Sequence, residues 1–114
     1  MERMYNKMTE ISKSDWKKYR EKISDWQEHY MERLVEEYIT FLRSGQLASY
    51  KFWELEKRIK QDKKCPGVLI EMRKSSAIYD IASLVGEKVI SLDDLDEFSD
   101  DLKDTVKFLI ERLW

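Results

Sequence analysis

From Trp16 to Leu42, apolar and aromatic residues recur every three or four positions without a break. That spacing follows the 3.6-residue turn and aligns Trp16, Tyr19, Ile23, Trp26 and Tyr30 on one side of an α-helix. Ser12, followed three residues later by Asp15, reads as a capping box, with Ile11 and Trp16 as its flanking hydrophobic staple. Ser44-Gly45 supplies the stop, because glycine can take the left-handed cap conformation. The pattern predicts one rod of about 30 residues, roughly 45 Å long. Beyond Leu34 the apolar arc widens to Val35, Tyr38, Ile39, Phe41 and Leu42, which predicts that this end sits deeper in a bundle.

Such a rod needs partners to cover it. A second helix is expected over about 48–63, with Ala48, Phe52, Leu55 and Ile59 as its core stripe. Pro66 suits the first position of a third helix, running to about Val85 and ending before Gly86. Its faces are Ile70, Ala77, Ile81 and Leu84 on one side and Val68, Met72 and Tyr79 on another. Ser91 and Asp94 form a second capping box, with Ile90 and Leu95 as the staple. A short helix through Phe98 then precedes one capped by Ser99 and striped by Leu102, Val106, Leu109 and Leu113. Residues 92–113 read equally as one bent helix. Met4, Met8 and Ile11 make either one amphipathic turn or a frayed terminus. Three glycines and one proline are too few for the turns of a β-rich fold. The expected fold is all-α: a small bundle of four to five helices with one long N-terminal helix, in a single domain of 114 residues.

No run approaches the ~18 uncharged apolar residues that span a membrane. The start, MERMYNKMTEISKSDW, lacks the apolar run of a signal peptide. A lone Cys65 fits a reducing compartment, so a cytoplasmic location is expected. The net charge of −2 is unevenly spread: residues 51–74 carry eight basic and four acidic groups, residues 75–114 four basic and ten acidic.

Several residue groups invite a chemical reading. The basic stretch of Lys57, Arg58, Lys60, Lys63, Lys64, Arg73 and Lys74 could hold phosphates, with Tyr50 and Trp53 near enough to stack on bases. Glu54, Glu56, Asp62 and Glu71 interrupt its positive field, however, and no helix-turn-helix or zinc-finger spacing accompanies it. Cys65 follows two lysines and, with Pro66 opening a helix, would sit at a helix start. Both features favour a thiolate and make it a candidate reactive thiol. Its weakness as a nucleophile is the lack of a nearby base, since His29 is the only histidine and lies on another helix. The acidic run Asp93, Asp94, Asp96, Glu97, Asp100, Asp101 and Asp104 fails as an EF-hand, with Phe98 and Ser99 at ligand and glycine positions. Those acids suit the positive ends of two successive helices.

The run KFWELEKRIKQDKKCPGVLIEMRKSS (51–76), followed by ISLDDLDEFSDDLKDTVKFL (90–109), resembles an uncharacterised family of short all-helical bacterial proteins from Gram-positive hosts and mobile elements. The resemblance implies a helical fold and no catalytic residues.

No nucleophile–base pair, metal set or phosphate loop is legible, so catalysis and cofactors are not expected. The expected role is a non-enzymatic protein-interaction module: a regulator, adaptor or inhibitor. The alternative is a nucleic-acid-associated regulator using residues 51–74. The face of Trp16, Tyr19, Ile23, Trp26 and Tyr30 reads either as packing against the last helix or as a partner or dimer surface, since a 45 Å rod outreaches shorter helices. No membrane or small-molecule substrate is expected.

Overall fold

A computed structural model describes residues 10–114, so Met4 and Met8 lie outside the described residues. Among the described residues there are four α-helices: α1 (Lys13–Leu42), α2 (Ala48–Asp62), α3 (Ala77–Gly86) and α4 (Asp100–Leu113). Single 3-10 turns occupy Lys74–Ser76 and Leu92–Leu95. Helical residues make up 72% of the described chain, which contains no strand. The molecule is long and thin, 57 × 25 × 22 Å.

The start of α1 follows its sequence signal, with Ser12 Oγ accepting the Asp15 N–H at 3.1 Å. The reciprocal half of the box is absent, because the Asp15 carboxylate turns inward to the other end of the chain. Only 2% exposed, it accepts the Ser99 N–H at 3.0 Å and the Ser99 hydroxyl as well. Ser99 Oγ in turn accepts the Leu102 N–H at 3.2 Å and so caps α4. One carboxylate thus joins the first turns of α1 and α4, where both helix dipoles favour negative charge.

Around this latch lies the core. Ile11, Tyr19 and Ile23 meet Ala77, Ile78, Ile81, Ala82 and Leu84 of α3, and Leu102, Val106 and Leu109 of α4. Ile90, Leu95 and Phe98 close it. The second capping box forms: Asp94 accepts the Ser91 N–H at 2.8 Å. It starts a single 3-10 turn, and α4 begins separately at Asp100, so 92–113 is not one bent helix.

No apolar residue between 31 and 64 joins this cluster, although Leu34 is buried beside it and Arg33 reaches its Val89 carbonyl. The chain therefore has two regions, a body (10–30 and 65–114) and an arm (31–64) in which the last turns of α1 pair with α2.

Three expectations are corrected. Pro66 does not open a helix; α3 starts only at Ala77. Residues 65–69 instead form a turn, with the Val68 N–H donating to the Cys65 carbonyl at 3.0 Å. Gln27 fixes the turn to α1 by donating to the Pro66 carbonyl at 3.0 Å. Gly67 lies so close to the Tyr30 ring and Val89 that any Cβ there would collide with both. Residues 68–73 are thus drawn across α1 as a strap, leaving Val68, Ile70 and Met72 half-buried rather than on helix faces.

Secondly, the far end of α1 is its shallower end. Its buried residues are Asp15, Tyr19, Ile23 and Leu34, while Val35 and Leu42 are exposed. Thirdly, Gly45 is not left-handed, and α3 runs through Gly86 rather than ending before it. Arg43 ends α1 in right-handed geometry. The left-handed residue after α3 is Lys88, at φ 62°, while Gly86 makes room for the ring of Trp114.

Candidate docking surface

The aromatic stripe expected to bind a partner is the body's own packing. Tyr19 and Ile23 are buried, and Trp16, Trp26 and Tyr30 pack half-buried against the core. Trp26 lies 6.1 Å from Phe98 and 6.3 Å from Tyr19 between ring centroids. The rod is covered here because the segments before α3 and α4, and not helices alone, fold over it. Burial, with Asp80 nearby, pushes the Tyr19 phenol pKa up, and its hydroxyl has no hydrogen-bond partner among the described residues.

Uncovered apolar surface lies on the arm instead. No residue of α2 is buried. Of its expected core stripe, Ala48, Phe52 and Ile59 are exposed and only Leu55 is half-buried. The reason is the way α2 meets α1. Arg58 stacks over Phe41 at 4.0 Å, Asp62 accepts the Tyr38 hydroxyl, and Tyr50 lies edge-on to Phe41 at 5.9 Å. Burial, with Asp62 adding to it, pushes the Tyr38 pKa up to about 12. These contacts orient the side of α2 carrying Glu54, Arg58 and Asp62 towards α1. Phe52 and Ile59 then stand about a quarter turn further round, at ~100° per residue.

On α1, Val35 and Leu42 likewise stand about a quarter turn beyond Tyr38 and Phe41. The two helices run in opposite directions, so equal forward turns reach the same side of the pair. Val35, Leu42, Phe52 and Ile59 therefore share one face of the arm, at 51%, 41%, 65% and 36% exposure. Leu47 and Trp53 add exposed apolar surface at the tip and outer edge. A contiguous apolar face on a two-helix arm is the kind of surface that marks an interaction site.

Val35 and Leu42 were not singled out as surface residues from the sequence. A signal was present: both lie about a third of a turn off the Trp16–Tyr30 line, seven residues apart, on a seam of their own.

The other candidates are dispersed. Lys57, Arg58 and Lys60 lie on α2, Lys63 and Lys64 on the turn after it, Arg73 at the end of the strap and Lys74 in a 3-10 turn. Arg58 pairs with Glu54 at 3.4 Å, Lys60 with Glu56 at 3.7 Å and Arg73 with Glu71 at 2.8 Å. Cys65 loses its helix start. It follows the C-terminal end of α2 and opens no helix. Half-buried, it accepts the Gly67 N–H on sulfur at 3.4 Å. Its neighbour Tyr30 has a phenol pKa pushed up, first by burial and then by Cys65.

His29 lines an open cleft of about 650 Å³ with Trp26, Arg33, Ile90 and Asp94. Arg33 is already engaged there, donating to the carbonyls of Lys88 at 2.9 Å and Val89 at 3.2 Å. The acidic run divides between the Leu92–Leu95 turn and the first turns of α4, and Glu97 pairs with Lys22 at 2.6 Å. That pairing holds the Glu97 carboxyl below its usual range. Among the described residues, no helix is long and apolar enough to cross a membrane.

Comparison with protein-family models, with curated proteins and with solved structures gives no match.

Proposed function

We propose that this chain is a non-enzymatic interaction module of the cytoplasm, a regulator, adaptor or inhibitor that docks a protein surface through the apolar face of its arm. One observation carries the reading: Val35, Leu42, Phe52 and Ile59 are exposed together on one side of a hairpin whose apolar residues lie outside the main core cluster. Each large apolar side chain left in water forgoes about 1.5–3 kcal/mol of burial, so a face of several has a ready source of binding energy.

The test is a Phe52→Ser, Ile59→Ser variant. Stability should stay within about 0.5 kcal/mol of wild type, because these side chains are not part of the interior. In native cell extract, wild type should migrate well above its own 13.9 kDa, and the variant at the monomer position. A variant that keeps the wild-type size would reject the reading.

A second reading, nucleic-acid association, draws on the exposed Lys57, Lys63 and Lys64 near Trp53. It predicts binding to single strands that weakens steeply with salt, through counterion release.

A further inference from the structure

We infer that the occupant of the arm's apolar face is a second copy of this chain, placed by a two-fold axis parallel to the helices so that each α1 lies on the partner's α2. The inference rests on the docking reading above and names its partner. Charge complementarity carries it. At its outer edge, α1 presents Glu28, Glu32 and Glu36, all exposed, with Arg43 the base on that side at the tip. The outer edge of α2 presents Lys60 and Lys63, also exposed, with Glu56 one turn before Lys60 and paired to it. The tip loop joins Leu42 to Ala48, so both edges stand at the same height, towards the body end of the arm.

Within one copy the two edges are kept apart, with the apolar face between them. A second copy turned about an axis along the helices brings each acidic edge beside the partner's basic edge. It also sets Val35 and Leu42 opposite the partner's α2, and Phe52 and Ile59 opposite the partner's α1. Every neighbouring pair of helices is then antiparallel, the arrangement of an up-and-down four-helix bundle. The pairing is closed and leaves no face to propagate further. The face is about 22 Å long and two helices wide, which is small for a specific interface, so micromolar association is expected.

The experiment measures the solution mass of the purified chain by light scattering from about 1 to 300 μM, a range that brackets micromolar association. Wild type should pass from monomer to dimer. Reversing one edge, with Glu32→Lys and Glu36→Lys, should raise the dissociation constant at least about tenfold. Reversing the other, with Lys60→Glu and Lys63→Glu, should do the same. An equimolar mixture of the two variants, or one chain carrying all four changes, should recover the dimer. Helicity by circular dichroism confirms that each variant is folded. Monomer at every concentration overturns the second copy. So does a dimer that neither edge reversal weakens, or one that Phe52→Ser with Ile59→Ser leaves intact. If the purified chain stays monomeric while the complex in extract still depends on Phe52 and Ile59, the partner is a different protein. In that case the docking reading survives and this inference does not.

Discussion

Through its first turns α1 gives the body Tyr19 and Ile23, both buried, and a carboxylate that latches the start of α4. Through its last turns the same helix gives the arm one buried residue, Leu34, and leaves Val35 and Leu42 in water. The partner elements differ in the same way. Every turn of α3 contributes to the interior, whereas α2 contributes nothing and meets α1 through Arg58, Asp62 and Tyr50. The contrast separates two tasks. Stability is concentrated where the chain's two ends are locked together, and apolar surface is kept open where that lock is absent.

Truncation in the core should break this comparison hardest. Leu95 is fully buried, and Leu95→Ala should cost about 2–5 kcal/mol by chemical denaturation. The half-buried Leu55 of the arm offers the control, and Leu55→Ala should cost under about 1 kcal/mol. Equal costs would dissolve the distinction between body and arm. Next in size is the latch. Asp15→Ala leaves the Ser99 N–H without its acceptor and should cost about 1–3 kcal/mol, again with no counterpart in the arm.

The smallest effect concerns pH. Burial raises the Asp80 pKa, while the Ser76 hydroxyl and Arg73 work against the shift. A carboxyl whose folded pKa is raised binds its proton more tightly in the native state. It therefore favours folding at acid pH, and that contribution is lost as pH rises through the folded pKa. Asp80→Asn should accordingly be slightly more stable than wild type at neutral pH. The difference should narrow as pH falls into the carboxylate range. An asparagine variant less stable at neutral pH would show that the hydrogen bond from Ser76 outweighs burial.

Much of this fold was legible in the sequence, and the failures share one physical cause. Helix α1 was read nearly to the residue, because Ser12 and the 3–4 spacing are local properties of its own chain. Ser91, Asp94 and Ser99 marked their turns for the same reason. Periodicity, however, says which side chains share a side and not whether anything covers that side. The stripe of Phe52 and Ile59 was real but uncovered, and the stripe of Trp16 to Tyr30 was covered by α3, α4 and the irregular segments before them. Residues 66–76 were misread because Pro66 can begin a helix or end a turn. The choice was made by the space beside Tyr30 and Val89, which only Gly67 can enter. The exposed apolar face of the arm depends on how two helices are rotated against each other, through Phe41, Arg58 and Asp62. That rotation is a tertiary property with no local signature.

The latch between Asp15 and Ser99 spans 84 residues, whereas a five-residue loop closes the hairpin of α1 and α2. This difference in sequence separation sets an order in time. Short loops close far sooner than distant segments find each other, and contacts of long range come late in folding. During synthesis the whole of the arm precedes Ala77, so the hairpin can form while α3 and α4 do not yet exist. Until Ser99 arrives, α4 and Phe98 are not in place and the aromatic stripe of α1 is only partly covered. The interval between making residue 62 and residue 99 is therefore when this chain is most exposed to capture by a chaperone or by another nascent copy of itself.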